Sequence, residues 1–375
     1  MSNKAIRYLG DSLTLGQLSG DGAFTQRAVG RLAEFIGHDR ILLTPSGTAA
    51  LELAAITSGV FPGSKARLPS FNFPSDANAL ALFGAELQFC EVDISTGSAS
   101  PKTMDSIGEK PDIVSYVNYA GVGNHSPGIA EMAKGWGAIS IEDNCHGLGG
   151  LAQGKPLGTF GDFGVLSFHS TKNFPIGEGG ALIVNNSDYW ERAQIIREKG
   201  TDRSKYLRGQ VDKYRWQMLG SSYLMGELSA AFLLAQLEDW DYIQDSRKQI
   251  IASYYSGFET LTKGSAFESV PEHLIQDSGQ HFYFLRAPDG RTRDALISKM
   301  SDAGIQITSH YEPLHNSPMG KNRLSNQQHL PLTDKFAETI IRFPVYPTLS
   351  TSSVDEVVRA FIRCVEKLDP IGDAD

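Results

Sequence analysis

Cysteine is scarce in this chain. The three, Cys90, Cys145 and Cys364, stand far apart among 375 residues and make no metal-ligand spacing. An odd, sparse set suits a reducing, cytoplasmic setting. Long apolar runs are missing too. No stretch reaches the roughly 18 apolar residues that read as a membrane span. Residues 1–7 lack the apolar core of a signal peptide. Positive charge is in deficit: 34 Lys and Arg against 43 Asp and Glu give a net −9, which excludes a broad nucleic-acid surface. Any phosphate ligand must therefore be held by a local site. Internal repeats and low-complexity segments are absent. What remains is an ordinary globular composition, long enough for one large and one smaller domain or two of similar size.

The most informative stretch runs from Ser167 to Gly180. A strand-like run at 164–168 delivers Lys172 into a segment of small residues. Gly177-Glu178-Gly179-Gly180 follows, and then a second apolar run at 181–184. A lysine between two buried strands is costly unless its charge is paired or its pKa falls. With a lowered pKa it can form a Schiff base with an aldehyde. The alternative is a loop lysine pointing at solvent.

Residues 10–25 carry Gly10, Gly16, Gly20 and Gly22 and read as a loop, either a plain arm or a cover over a site. A helix is expected at 25–36, with Ala28, Val29, Leu32 and Ile36 on one face. The strand 41–44 runs into Pro45-Ser46-Gly47-Thr48 and a helix closed by Gly59 and Pro62. Free N–H groups and the positive helix end make that turn an anion site, which is compatible with Ser46 capping the helix. Further strands are expected at 66–69, 87–92, 112–117, 138–143, 164–168 and 181–184, with helices at 75–83 and 128–135. Seven strands with helical crossovers imply an α/β fold with a mostly parallel sheet between helices. Ligands of such sheets sit beyond the strand carboxyl ends. The 45–48 turn, Phe73 and Asp143 all follow strands. Asp143 reads as a cap, as half of an ion pair, or as the partner of a ring nitrogen that must stay protonated. His146 reads as structural or as a donor to an oxygen on that ring.

The 191–216 stretch, with Arg197, Arg203, Arg208 and Lys213, is the most basic part of the chain: a solvated face or a receiver for a polyphosphate. Residues 227–256 contain no Gly or Pro, which predicts one helix of about 45 Å at ~1.5 Å per residue. It would link a large α/β domain, 1–240, to a smaller α+β domain, 241–375. There, strands are expected at 281–285 and 305–308 and helices at 292–302 and 352–367, with a flexible loop at 319–332. Val354, Val357, Val358, Phe361, Ile362 and Val365 make one stripe of the last helix.

The order of phosphate turn, aromatic, strand-end aspartate and lysine resembles fold type I enzymes of the aspartate aminotransferase kind, which use pyridoxal 5'-phosphate. More narrowly, the chain resembles the DegT/DnrJ/EryC1/StrS family of sugar-nucleotide aminotransferases. The matching motifs are Ser46-Gly47-Thr48, Pro69-Ser70-Phe71-Asn72-Phe73, Glu142-Asp143, Ser167 to Lys172, Gly177 to Gly180, and His310-Tyr311-Glu312-Pro313-Leu314-His315. The runs 197–204, 208–214 and 220–225 look like the branch that aminates dTDP-4-keto-6-deoxy-D-glucose. The resemblance implies a catalytic Lys172 that binds the cofactor aldehyde and shuttles a proton. It gives Asp143 to the pyridinium nitrogen, Phe73 to the ring face, Gly47, Thr48 and Ser167 to the phosphate, and His146 to the ring oxygen. Ser222 stands where many relatives place an asparagine on the neighbouring subunit's phosphate. Arg203, Arg208, His310 and Tyr311 are its candidate substrate contacts; no metal, nucleic-acid or membrane partner is implied. The expected activity is transfer of an amino group from L-glutamate to C4 of a dTDP-4-keto-6-deoxyhexose by a cytoplasmic homodimer, supplying surface polysaccharide. Amination at C3, or a non-catalytic sugar-nucleotide-binding protein on the same fold, are the alternatives.

Overall fold

The computed structural model describes residues 3–323 and 329–368. Strands β1 (Ile41–Thr44), β2 (Lys65–Pro69), β3 (Glu86–Cys90), β4 (Ile113–Val117) and β5 (Ile139–Asp143) are followed by a short hairpin, β6 (Leu151–Ala152) and β7 (Lys155–Pro156). Then come β8 (Phe163–Ser167) and β9 (Gly180–Val184). Seven of these form one sheet in the order β1-β9-β8-β5-β4-β2-β3. Only β9 runs against its neighbours. Strands covered on both faces read as continuous apolar runs, which is why β4 and β9 are buried throughout. Side chains still alternate between the faces. Leu43, Leu166 and Ile183 pack with Leu32 and Leu233 on one side. Leu42, Val165 and Leu182 pack with Leu51 and Leu53 on the other.

The second sheet is antiparallel, in the order β10 (Glu268–Ser269), β11 (Phe284–Arg286), β12 (Ile340–Arg342). Its core gathers Phe258, Tyr283, Phe284, Phe336 and Phe361, and it also takes in Phe71, Val117 and Tyr119 from the carboxyl ends of β2 and β4. The apolar interior is therefore continuous between the two sheets. The helices Trp240–Gly264 and Thr351–Glu366 approach closely at Gly257, where a Cβ would lie 2.8 Å from Val358 Cγ2.

Five expectations are corrected. Residues 3–15 form a helix, so the glycine-rich loop shrinks to 16–22. Ala5, Tyr8 and Ser12 are buried along one face of that helix, and Gly10 points where a side chain would meet nothing, so burial overrides its weak propensity. The single long helix is two, Glu227–Leu237 and Trp240–Gly264. No Gly or Pro is needed for the break. Tyr8 donates to Glu238 (2.9 Å), Lys4 donates to Asp239 (2.8 Å), and Trp240 stacks on Phe35 with centroids 3.7 Å apart. The strand expected at 305–308 is one bridge, Thr308 with Arg342. The strand expected at 281–285 starts only at Phe284, because His281 turns aside to bond Asn173. Of the expected 319–332 loop, 318–323 and 331–339 are helical, and 324–328 lie outside the described residues.

Candidate active site

The cavity opens beyond the carboxyl ends of β1, β2, β5 and β8, and its volume is about 440 Å³. At one end, β1 turns through Ser46 into the helix Gly47–Ser58, and Ser46 Oγ accepts the Ala49 N–H at 3.0 Å. A Cβ on Gly47 would stand 2.9 Å from Ser167 Cβ, so only glycine lets the end of β8 lie against the helix start. Thr48 Oγ1 and Ser75 Oγ are 2.7 Å apart. Hydroxyls and free helix N–H groups thus surround one small space suited to an anion.

Lys172 follows β8 in a tight turn, its N–H donating to His169 C=O at 2.9 Å. Next to it, Asn173 is buried; its Oδ1 and His281 Nδ1 are 2.7 Å apart, and its Nδ2 donates to Gly279 C=O at 2.5 Å. The lysine loop is thereby fastened to the second part of the chain. Burial pulls the Lys172 pKa below its usual value, and the Arg342 charge acts in the same direction, against Cys145 and Asp143.

Asp143, at the end of β5, is buried and accepts the Cys145 N–H at 3.0 Å. Burial raises its pKa, opposed by its bonds from Cys145 and by the Lys172 charge. Behind it lies a second buried carboxyl. Asp76, in the first turn of the helix Pro74–Ala81, accepts from Ser115 Oγ (2.6 Å) and Asn72 Nδ2 (2.7 Å). Burial and then the Asp143 charge push it up to about 7.

His146 stacks on His281 with centroids 4.4 Å apart, and its Nδ1 is buried without a partner. Burial, with the Lys172 charge next, holds it well below the usual histidine range. His310 stacks on Tyr311 at 3.5 Å and meets Tyr119 OH at 2.6 Å. Burial and Arg342 hold His310 neutral as well. Phe73 is 55% exposed and lines this cavity.

Gly47, Thr48, Phe73, Asp143, His146, Ser167, Lys172, His310 and Tyr311 thus converge as the sequence led one to expect. Three candidates do not. Arg203 pairs with Glu198 (3.3 Å), exposed Arg208 donates to Gln210 (3.3 Å), and exposed Ser222 bridges to Glu198; none lines this cavity. Asp76, His281 and Arg342 were missed. A polar residue in the helix turn after Phe73 was a usable signal for Asp76. Nothing local marked the other two.

Comparison with known proteins agrees. The spore coat polysaccharide biosynthesis protein SpsC of Bacillus subtilis (strain 168) is 25% identical over 381 aligned residues, 98% of this chain and 96% of SpsC. The aminotransferase TlmJ from Streptoalloteichus hindustanus superposes with a TM-score of 0.89 at 25% identity, over 98% of both chains. Helicobacter pylori PseC, an aminotransferase of pseudoaminic acid biosynthesis, shares the fold with a TM-score of 0.89 at 21% identity, over 98% of this chain and 97% of its own. A family profile matches residues 1–362. With that match over nearly its whole length, the chain belongs to the DegT/DnrJ/EryC1/StrS aminotransferase family.

Proposed function

We propose that this aminotransferase moves an amino group from L-glutamate to C4 of a dTDP-4-keto-6-deoxyhexose, supplying amino sugar for surface polysaccharide. The observation that carries this reading is the single cavity that joins Lys172, Asp143, exposed Phe73 and the Ser46–Thr48 anion turn. Enzymes of this family depend on pyridoxal 5'-phosphate, and the cavity fits it. The turn with Ser167 suits the phosphate, Phe73 offers a bare ring face, and the unpartnered His146 Nδ1 suits the ring oxygen. Asp143, whose charge burial disfavours, gains a cationic partner in a protonated ring nitrogen. Bound there, the cofactor supplies an electron sink for the carbanion formed at the reacting carbon.

The chain's own residues do the rest. Lys172 Nζ, with its pKa lowered, is placed to accept and return the proton that moves between substrate and cofactor carbons. Asp143 would keep a proton on the ring nitrogen of the bound cofactor. In the net exchange the donor's C–N bond becomes C=O and the sugar's C=O becomes C–N, so no outside oxidant is needed. SpsC, named for spore coat polysaccharide biosynthesis, supports the biosynthetic setting. We further propose a cytoplasmic homodimer in which Ser222 reaches the neighbour's phosphate and Arg203 and Arg208 meet the sugar-nucleotide diphosphate. The division into 1–240 and 241–375 is proposed with it. The test is incubation with L-glutamate and dTDP-4-keto-6-deoxyglucose, with the new amine located by NMR. An amine at C3, or turnover with simple keto acids only, overturns the reading.

A further inference from the structure

The turn that carries Lys172 rests on a strap formed by residues 277–281. Asn173 Nδ2 donates to Gly279 C=O at 2.5 Å, and Asn173 Oδ1 lies 2.7 Å from His281 Nδ1. Gly279 N–H donates to Gly121 C=O at 2.9 Å, and Leu151 N–H donates to Asp277 C=O at 2.7 Å. A Cβ on Gly279 would stand 2.6 Å from Gly147 Cα and 2.7 Å from the His146 carbonyl oxygen, so the strap lies flat against the backbone that carries His146. From the helix Trp240–Gly264, Arg247 donates Nε to Gln280 C=O (2.9 Å) and Nη2 to His281 C=O (2.5 Å).

Two features of this strap cost stability. Gln280 has φ 54°, in the left-handed region that a side chain disfavours. Arg247 is 4% exposed, and burial pulls its pKa down to about 10 with no carboxylate among the described residues to offset the shift. Such costs persist where the surrounding structure demands them, and they cluster at working sites. Here both lead to the Lys172 cavity. Gly279 holds the residue next to Lys172. His281 presents its ring to His146, with centroids 4.4 Å apart and planes inclined by 23°.

The bonding also fixes His281 chemically. The Asn173 amide directs its N–H at a carbonyl, so its oxygen must accept from His281. Burial above all keeps His281 neutral, with one ring proton. That proton is therefore on Nδ1. A ring fixed in place and in tautomer sets the plane of the His146 ring stacked on it. It thereby sets the direction of the buried His146 Nδ1, which has no partner among the described residues.

We infer that Asn173 and His281 are positioning residues for the transfer reaction. Acting through the strap, they hold the Lys172 loop and the His146 ring in one fixed relation. The amine that moves a proton and the donor to the ring oxygen then keep register with the bound cofactor. The inference rests on the aminotransferase reading above. A purely structural strap would change stability when cut and leave the cofactor's surroundings alone.

The test uses Asn173→Ala, which cuts both bonds, and His281→Phe, which keeps a ring in the stack but loses the bond to Asn173. Nitrogen-15 NMR of the cofactor-free wild type should show the His281 proton on Nδ1, and Asn173→Ala should lose that preference. The visible absorbance of the bound cofactor should shift in both variants in the same direction as in His146→Phe, since each disturbs the ring-oxygen contact. In single turnovers with L-glutamate, the rate constant should fall about 10- to 100-fold in each variant, with the half-saturating glutamate concentration unchanged. The double variant should fall no further than the worse single one, because one bond joins the two residues. A proton on Nε2 in wild type, or unchanged absorbance and rates in the folded variants, overturns the inference. If L-glutamate does not convert the wild-type cofactor, the reading of the reaction fails, and the tautomer and the absorbance shifts decide the role of the strap on their own.

Discussion

Asp143, Lys172 and the Ser46–Thr48 turn stand at or just beyond the ends of strands in one sheet, whereas His281, His310, Tyr311 and Arg342 reach the same cavity from the second sheet and its loops. The first group forms a floor of fixed donors and carboxylates, set by where strands end. The second forms a wall of neutral rings and the Arg342 guanidinium, whose buried Nε has no hydrogen-bond partner among the described residues. A floor so built suits a cofactor that stays. The wall is joined to the floor through the shared apolar core and through polar contacts such as the Asn173–His281 bond at 2.7 Å, and its side chains line the part of the cavity left for substrates.

The comparison breaks most visibly at Lys172. The Lys172→Ala protein should remain folded by circular dichroism and bind cofactor without a covalent link, so borohydride treatment adds no mass. Turnover should fall by about 10³-fold or more, since the proton-transfer group alone supplies ~10²–10⁴. Retention of full activity would remove the floor from the chemistry altogether. Asp143→Asn tests the same floor more gently. An amide cannot supply the negative charge that holds a proton on the ring nitrogen, and each lost pKa unit there is worth about 1.4 kcal/mol. Turnover should drop roughly 100-fold with cofactor still bound; a near-normal rate assigns Asp143 to structure.

Floor and wall also differed in how far they were legible in the sequence. The strands of the first sheet announce themselves as short apolar runs, and the chemistry follows at their ends. Gly47, Thr48, Phe73, Asp143 and Lys172 could therefore be picked out from their own neighbourhoods. Arg342 ends an unremarkable short strand, and His281 precedes another; their meaning comes from contacts with residues distant in sequence, such as Phe282 and Asn173. The same reason hid the first helix. Gly10 argued for a loop, and only the burial of Tyr8 against the helix after Gly226 decides otherwise.

Asp76 is where the floor carries a feature outside the expected set, and its effect is one of stability. Its folded pKa, about 7, lies above its ordinary value of 3.8. The folded protein therefore keeps a proton on Asp76 that the unfolded chain has released above that lower value. Whatever this group contributes is fully present below the lower pKa and is lost as pH rises toward 7. Asp76→Asn removes the titration while keeping shape. Compared with wild type, both stripped of cofactor, the variant's gain in thermal midpoint should grow from pH 4 to pH 7 and then level off. A gain that does not change with pH refutes the assignment.

The smallest effect expected is at Ser222, and it sharpens the boundary between floor and neighbour. Ser222 is exposed and does not line its own protomer's cavity, so any phosphate it touches belongs to another copy of the chain. A serine hydroxyl donating to a phosphate is a single charge-assisted hydrogen bond, worth about 1.5 kcal/mol net, or ~10-fold in affinity. Ser222→Ala should thus weaken cofactor binding about 10-fold or less, with the thermal midpoint of the cofactor-free protein unmoved. Mixing supplies the decisive comparison. A hybrid of one Ser222→Ala protomer and one Lys172→Ala protomer has one cavity that contains Lys172, and that cavity belongs to the Ser222→Ala subunit. If the hydroxyl comes from the neighbour, this cavity receives an intact Ser222 and binds cofactor as tightly as wild type. If its affinity instead matches the Ser222→Ala homodimer, the serine acts within its own protomer and the shared-site arrangement is wrong.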